Sequence, residues 1–250
     1  MILAAAVVAG CAGRAAGIPP LPPAPHPELR GPAITQIQRA GVLRVASDLS
    51  YPPMEFRENG VPRGFEIDLA ALLAGALGVR LDVVDTPLAL MRAEFPAGAD
   101  VLLSALPADG APGLPSEPYY VSSQAILWGD RSPVRTPEDL RGLRVAVAAG
   151  SPGEGLAEGA GALSMTYLPE QAVEAVASGR AQAAVGDRPL LVWYAQTHPR
   201  LHVAAGAWRE VPLVVVTRPN APDLAAFITA ALRELGTNGG LAQVRRRWHL

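Results

Sequence analysis

From residue 41 onward, short apolar runs alternate with segments whose apolar positions recur at helical spacing. That alternation predicts strands crossing over through helices in a mostly parallel sheet. Residues 42–46 read as a first strand. In residues 64–77, Phe65, Leu69, Leu72, Leu73, Ala76 and Leu77 share one helical face, Glu66 and Asp68 fall in the first turn, and Gly78 supplies the stop. An amphipathic helix is expected there. Residues 79–84 alternate as a half-buried strand should, and 100–105 form a short apolar run of the fully buried kind. Prolines and glycines at 112–118 interrupt this series, and 119–129 read as a long extended segment leaving it. A second series opens with Thr136-Pro137-Glu138-Asp139, a helix start with proline at the first helical position. Strand 144–149, helix 169–178, strand 181–185, helix 189–196 and strand 213–217 follow. Leu224, Phe227, Ile228, Ala231 and Leu235 then stripe a long helix, and a last amphipathic turn comes after Gly239-Gly240.

Composition narrows the class. Half of the 250 residues are hydrophobic and 18% are charged, which describes a globular chain. A net charge of -2 leaves no basic footprint for nucleic acid, and the only basic run, 245–247, ends a helical pattern where cations suit the dipole. A single cysteine, Cys11, excludes an internal disulfide. It follows an apolar stretch at 2–9, and Val8-Ala9-Gly10-Cys11 resembles a bacterial lipobox. The resemblance implies cleavage before Cys11 and acylation of its sulfur. The stretch is too short for a bilayer span, which takes about 20 residues. It is also short for a full signal and has no leading basic residue, so a truncated signal is expected. Residues 17–32 carry seven prolines and little apolar periodicity, the composition of an extended tether.

Four fragments, in order, carry a further resemblance: Asp48-Leu49-Ser50-Tyr51-Pro52-Pro53-Met54-Glu55-Phe56, Gly64-Phe65-Glu66-Ile67-Asp68-Leu69, Ser116-Glu117-Pro118-Tyr119-Tyr120 and Pro137-Glu138-Asp139-Leu140-Arg141-Gly142. With Ala149-Gly150-Ser151-Pro152-Gly153-Glu154 and Val185-Gly186-Asp187 they resemble the polar amino acid family of periplasmic solute-binding proteins over residues 36–250. The resemblance implies an α/β, two-lobed type II periplasmic binding protein fold, with two mostly parallel sheets joined by two crossing strands. The expected division is a signal at 1–10, a lipid-anchored tether at 11–35, a first lobe at 36–128 and 213–250, and a second lobe at 129–212. It implies a monomer on the periplasmic or extracellular face of the cell membrane, held by lipid on Cys11. There it would deliver a small ligand, an amino acid or a relative of one, to an ABC permease, with no cofactor, no metal and no catalysis.

A zwitterion needs donors for its carboxylate and an acceptor for its ammonium, and open parallel sheets bind ligands at the carboxyl ends of strands. The candidates there are Asp48, Tyr51, Ser104, Ser151 and Asp187, with Leu88 and Arg188 beside them. Each also has a plain structural explanation. Tyr51 could pack the Pro52-Pro53 turn, Ser104 could be a satisfied strand end, and Asp187 could cap the next helix. Ser151 opens a capping box with Glu154, yet a helix start is also an anion site. The family's pattern carries an arginine between Ser104 and Ser116 that forks onto the ligand carboxylate; this chain has none, which implies either a substitute such as Arg188 or Arg92 or a ligand that is not a standard amino acid. A serine hydrolase is excluded because Pro152, after Ser151, has no N–H for an oxyanion hole. His26, His198, His202 and His249 lack metal-ligand spacing. A ligand-sensing lipoprotein, and a binding-protein fold turned lyase or dehydratase through Glu55 or Glu154, stand as alternatives.

Overall fold

Gly64 takes a φ of 132° between a short hairpin and the first core helix, and a Cβ there would come within 2.2 Å of the Met54 carbonyl oxygen. Only glycine lets the backbone pass this closely. The computed structural model describes residues 30–131 and 134–250. Chain order in the first lobe is α1 (Pro32–Ala40), β1 (Val42–Ser47), β2 (Ser50–Tyr51), β3 (Glu55–Glu58), β4 (Val61–Arg63), α2 (Phe65–Ala76), β5 (Arg80–Asp85), α3 (Leu88–Ala93) and β6 (Val101–Leu102). The long strand β7 (Leu114–Gly129) leads out of it. After a 3-10 turn at Pro137–Leu140 come β8 (Arg144–Ala148), α4 (Pro152–Gly159), β9 (Leu163–Tyr167), α5 (Pro169–Ala177), β10 (Ala183–Asp187), α6 (Arg188–Gln196) and β11 (Leu201–Val203). Strand β12 (Trp208–Thr217) returns to the first lobe, and α7 (Pro222–Thr237) and α8 (Gly240–Arg247) close the chain.

The main sheet runs β5-β1-β6-β12-β7-β10-β8-β9, with β11 also on β7. Its outer parts are parallel: β1 pairs with β5 and β6, and β8 pairs with β10 and β9. Between them β7 and β12 run antiparallel to each other, so these are the two crossing strands of the type II fold. Their ladder contains register shifts, and bulges of this kind bend and twist a strand pair where it changes direction. Each half has its own apolar layers. In the first, Leu43, Phe65, Leu69, Leu73, Val215 and Ile228 lie on one face and Met91, Leu102 and Val216 on the other. In the second, Val173, Ala184 and Leu191 face one way, and Val145, Val147 and Val185 the other.

Three expectations change. The chain already pairs with β10 from Gln124, so the second half of the sheet begins ahead of residue 128. The stretch 32–35, expected in the tether, lies in α1, where Ala33, Ile34 and Ile37 are buried in the first-lobe core. Pro32 suits a first helical turn because its missing N–H is not needed there, so proline density misled the boundary. Helix α2 is not amphipathic either, since Glu66 and Ala70 are as buried as Leu69. The expected signal at 1–10, the lipid site Cys11 and the tether at 11–29 lie outside the described residues.

Candidate functional site

Four strand ends converge. Asp48 follows β1, Ser104 follows β6, Gly150 and Ser151 follow β8, and Asp187 ends β10. All five of these residues line one cavity of about 320 Å³, together with Tyr51, Glu55, Leu88, Arg92 and Gln124. The walls therefore come from both lobes and from a crossing strand. A larger depression of about 610 Å³ lies at the far end of the second lobe, around Gly129, Ala177, His198 and Leu201. It borders the start of β10 instead of its end and takes nothing from the first lobe, so it lacks the opposed walls that a bridging ligand needs.

Asp187 holds the cavity's central charge. One carboxylate oxygen accepts the Tyr51 hydroxyl at 2.8 Å, across the gap between lobes. The other accepts the Gln124 side-chain amide. Burial raises the Asp187 pKa above the usual aspartate value, and these two donors oppose the rise. Tyr51 in turn is pushed well above the usual phenol range, by burial first and by the neighbouring Asp187 charge second.

Asp48 acts as a brace. Its backbone N–H donates to Ser104 Oγ at 3.0 Å, while its carboxylate accepts the Leu88 N–H at the start of α3 at 2.8 Å and the Ser50 hydroxyl at 2.5 Å. This ties the ends of β1 and β6 to α3 and holds Leu88 at the cavity wall. Ser104 is nearly inaccessible, and its proton goes to Glu55 Oε1 at 2.9 Å. That proton is directed at an internal acceptor, while Ser104 itself lines the cavity. Glu55 and Glu66 lie together under the cavity. Glu66 accepts the Ala105 N–H at 2.9 Å and the Tyr119 hydroxyl, and the Glu55 carboxyl beside it raises the prospect of a proton shared between the two. Burial is the main cause raising both, Glu66 to about 7 and Glu55 well above its usual range.

Ser151 is the N-cap of α4, its Oγ accepting the Glu154 N–H at 3.2 Å. Glu154 reaches back to the Gly150 N–H at 2.7 Å, one residue earlier than a standard capping box. Arg188 is not at the cavity. Its guanidinium donates to the carbonyls of Ala204 and Gly206 at 2.7 and 2.8 Å, which corrects its candidacy as a ligand contact. Gln124 escaped the sequence reading. The signal was Ser122-Ser123-Gln124, three polar residues ahead of the apolar run Ala125-Ile126-Leu127-Trp128, all three buried.

The family model described as "Bacterial extracellular solute-binding proteins, family 3" matches residues 43–250. Among curated proteins, the arginine-binding protein ArgT of Corynebacterium glutamicum is 24% identical over 90% of this chain and 80% of its own length. Among solved structures, holo ArgBP from T. maritima superposes with a TM-score of 0.69 at 30% identity, over 81% of this chain and 93% of that one. The ancestral amino acid-binding protein AncCDT-1, a precursor of cyclohexadienyl dehydratase, superposes with a TM-score of 0.75 at 28% identity, over 87% of this chain and 99% of that one.

Proposed function

The chain belongs to the bacterial extracellular solute-binding proteins, family 3, and from that premise we propose that it captures an amino acid or a close relative between its lobes and delivers it to an ABC importer. The observation that carries this reading is the meeting of Tyr51 and Asp187 over a cavity walled by both lobes. A ligand can favour closure only through contacts that the closed form adds, so groups on opposed walls are what such a mechanism requires. Asp187 is the acceptor for the ligand's ammonium. A buried carboxylate with two neutral donors lacks a compensating charge, and an ammonium supplies it. Tyr51 and Leu88 pack against the ligand, Ser151 borders it from α4, and Asp48 and Ser104 hold the first-lobe wall in shape. The protein works at the extracytoplasmic face, and Cys11 is the proposed site of its lipid anchor.

One observation speaks for a catalytic alternative, a lyase or dehydratase: burial raises the pKa of Glu55, on the cavity wall, well above its usual range, in the direction a general acid requires. Against it, both Glu55 oxygens face inward. Oε1 accepts Ser104, and Oε2 is buried with no other donor among the described residues, which suits the oxygen that carries the proton toward Glu66. Binding without turnover is the better reading.

The test is a thermal-shift screen of standard amino acids, amines and small carboxylates on the chain from residue 30 onward. A true ligand at 100 times its dissociation constant adds about 2.7 kcal/mol of stability. Asp187→Ala should abolish that gain for amine-bearing ligands. A screen in which no amino acid stabilises the protein would overturn the proposal.

A further inference from the structure

A zwitterion held by Asp187 presents a carboxylate that also needs a partner, and this cavity offers few. The chain contains no lysine, so any cationic anchor is an arginine. Among the described residues lining the cavity, Asp48, Glu55 and Asp187 are carboxyls and Arg92 is the one cation. We infer that Arg92, on the last turn of α3, holds the carboxylate of the bound ligand; this rests on the amino-acid reading above.

Two competing anchors are already occupied. The guanidinium of Arg188 is tied to the Ala204 and Gly206 carbonyls. At the start of α4, Pro152 has no N–H, the cap oxygen of Ser151 takes the Glu154 N–H, and the chain's own Glu154 carboxylate sits on the Gly150 N–H just ahead of the cap, where it competes with an incoming anion. Arg92, by contrast, makes no hydrogen bond or ion pair with any described residue. Its backbone is nevertheless held firmly. Asp48 accepts the Leu88 N–H at one end of α3, and Met91, next to Arg92, is completely buried against Leu102 and Val216. A firmly held backbone carrying an exposed guanidinium at the cavity wall suits a carboxylate, which guanidinium binds through two parallel hydrogen bonds.

The experiment uses the amino acid that wild type binds most tightly among the twenty standard ones, and the C-terminal amide of the same compound. The amide keeps the ammonium and the side chain but removes the anionic charge. Titration calorimetry on wild type, Arg92→Gln and Arg92→Lys compares the pair. Arg92→Gln should weaken the acid by about tenfold or more and the amide by no more than about twofold, with Arg92→Lys recovering part of the loss. Equal losses on acid and amide, or an unchanged affinity for the acid, would remove Arg92 from this role while leaving the amino-acid reading intact. Binding of none of the twenty by wild type would sink both together.

Discussion

Glu55 and Glu66 are a pair of buried carboxyls with no ion-pair partner among the described residues, and they make the stability of the protein depend on pH. Burial raises both pKa values, Glu66 to about 7, whereas each titrates at about 4.3 in an unfolded chain. The folded state therefore keeps protons that the unfolded state has released. Stability is fully present below about pH 4.3 and is lost as pH rises through about 7, at up to about 1.4 kcal/mol per unit for each proton. Asp68 and Asp187, also raised, act in the same direction. Urea denaturation should give a lower midpoint at pH 8 than at pH 5. In Glu55→Gln the amide still donates to Glu66 and still accepts Ser104, so the fall between those two pH values should shrink; an equal fall in the variant would exclude the shared proton. None of this was legible in the sequence, where Glu66 read only as an acid in the first turn of a helix. Its burial follows from α2 being covered on several sides at once, by the sheet, by the hairpin of β3 and β4, and by α7 and α8.

The contact of α4 with β10 is tightly constrained. A Cβ at Gly153 would stand 2.9 Å from both the Val185 carbonyl oxygen and Gln124 Oε1. Gly153→Ala should destabilise the protein by about 1–3 kcal/mol and displace the Gln124 amide from Asp187, weakening ligand binding as well. Gly159→Ala in the same helix, where an added Cβ meets nothing within 4 Å, should be neutral or slightly stabilising in the same denaturation assay. Elements with a clear period were legible: β1, β5, β8, β10, α5 and α7 appear where apolar spacing placed them. Missed were α1, α3, β9, β11 and the small sheet β2-β3-β4. Strands of two to four residues are too short to display alternation. The five residues of β9, at the sheet's edge, are half-buried or exposed, so they carry little apolar signal.

Over the whole molecule, two parallel half-sheets with separate cores are connected through β7 and β12, whose ladder is irregular. That arrangement suits rotation of one lobe against the other, with Tyr51 and Asp187 meeting on closure. Saturating ligand should therefore shift the small-angle scattering profile toward the more compact form. Tyr51→Phe, which removes the inter-lobe hydrogen bond but keeps the ring, should weaken ligand binding by a fewfold with no loss of melting temperature in the free protein. A profile indifferent to ligand would argue for a rigid cleft.

Local spacing determined the α/β class and the two strand series, while the family resemblance pointed to the polar residues at strand ends that line the cavity. The class and the series follow from periods of two and about 3.6 residues and from turn chemistry, all written in neighbouring positions. Tertiary structure alone decided the partners: Ser104 turns to Glu55, Arg188 to backbone carbonyls, Gln124 to Asp187, and Arg92 at the cavity wall has no partner among the described residues. Burial and pairing join residues such as Tyr51 and Asp187, 136 positions apart, and no repeat along a chain encodes a distance of that kind.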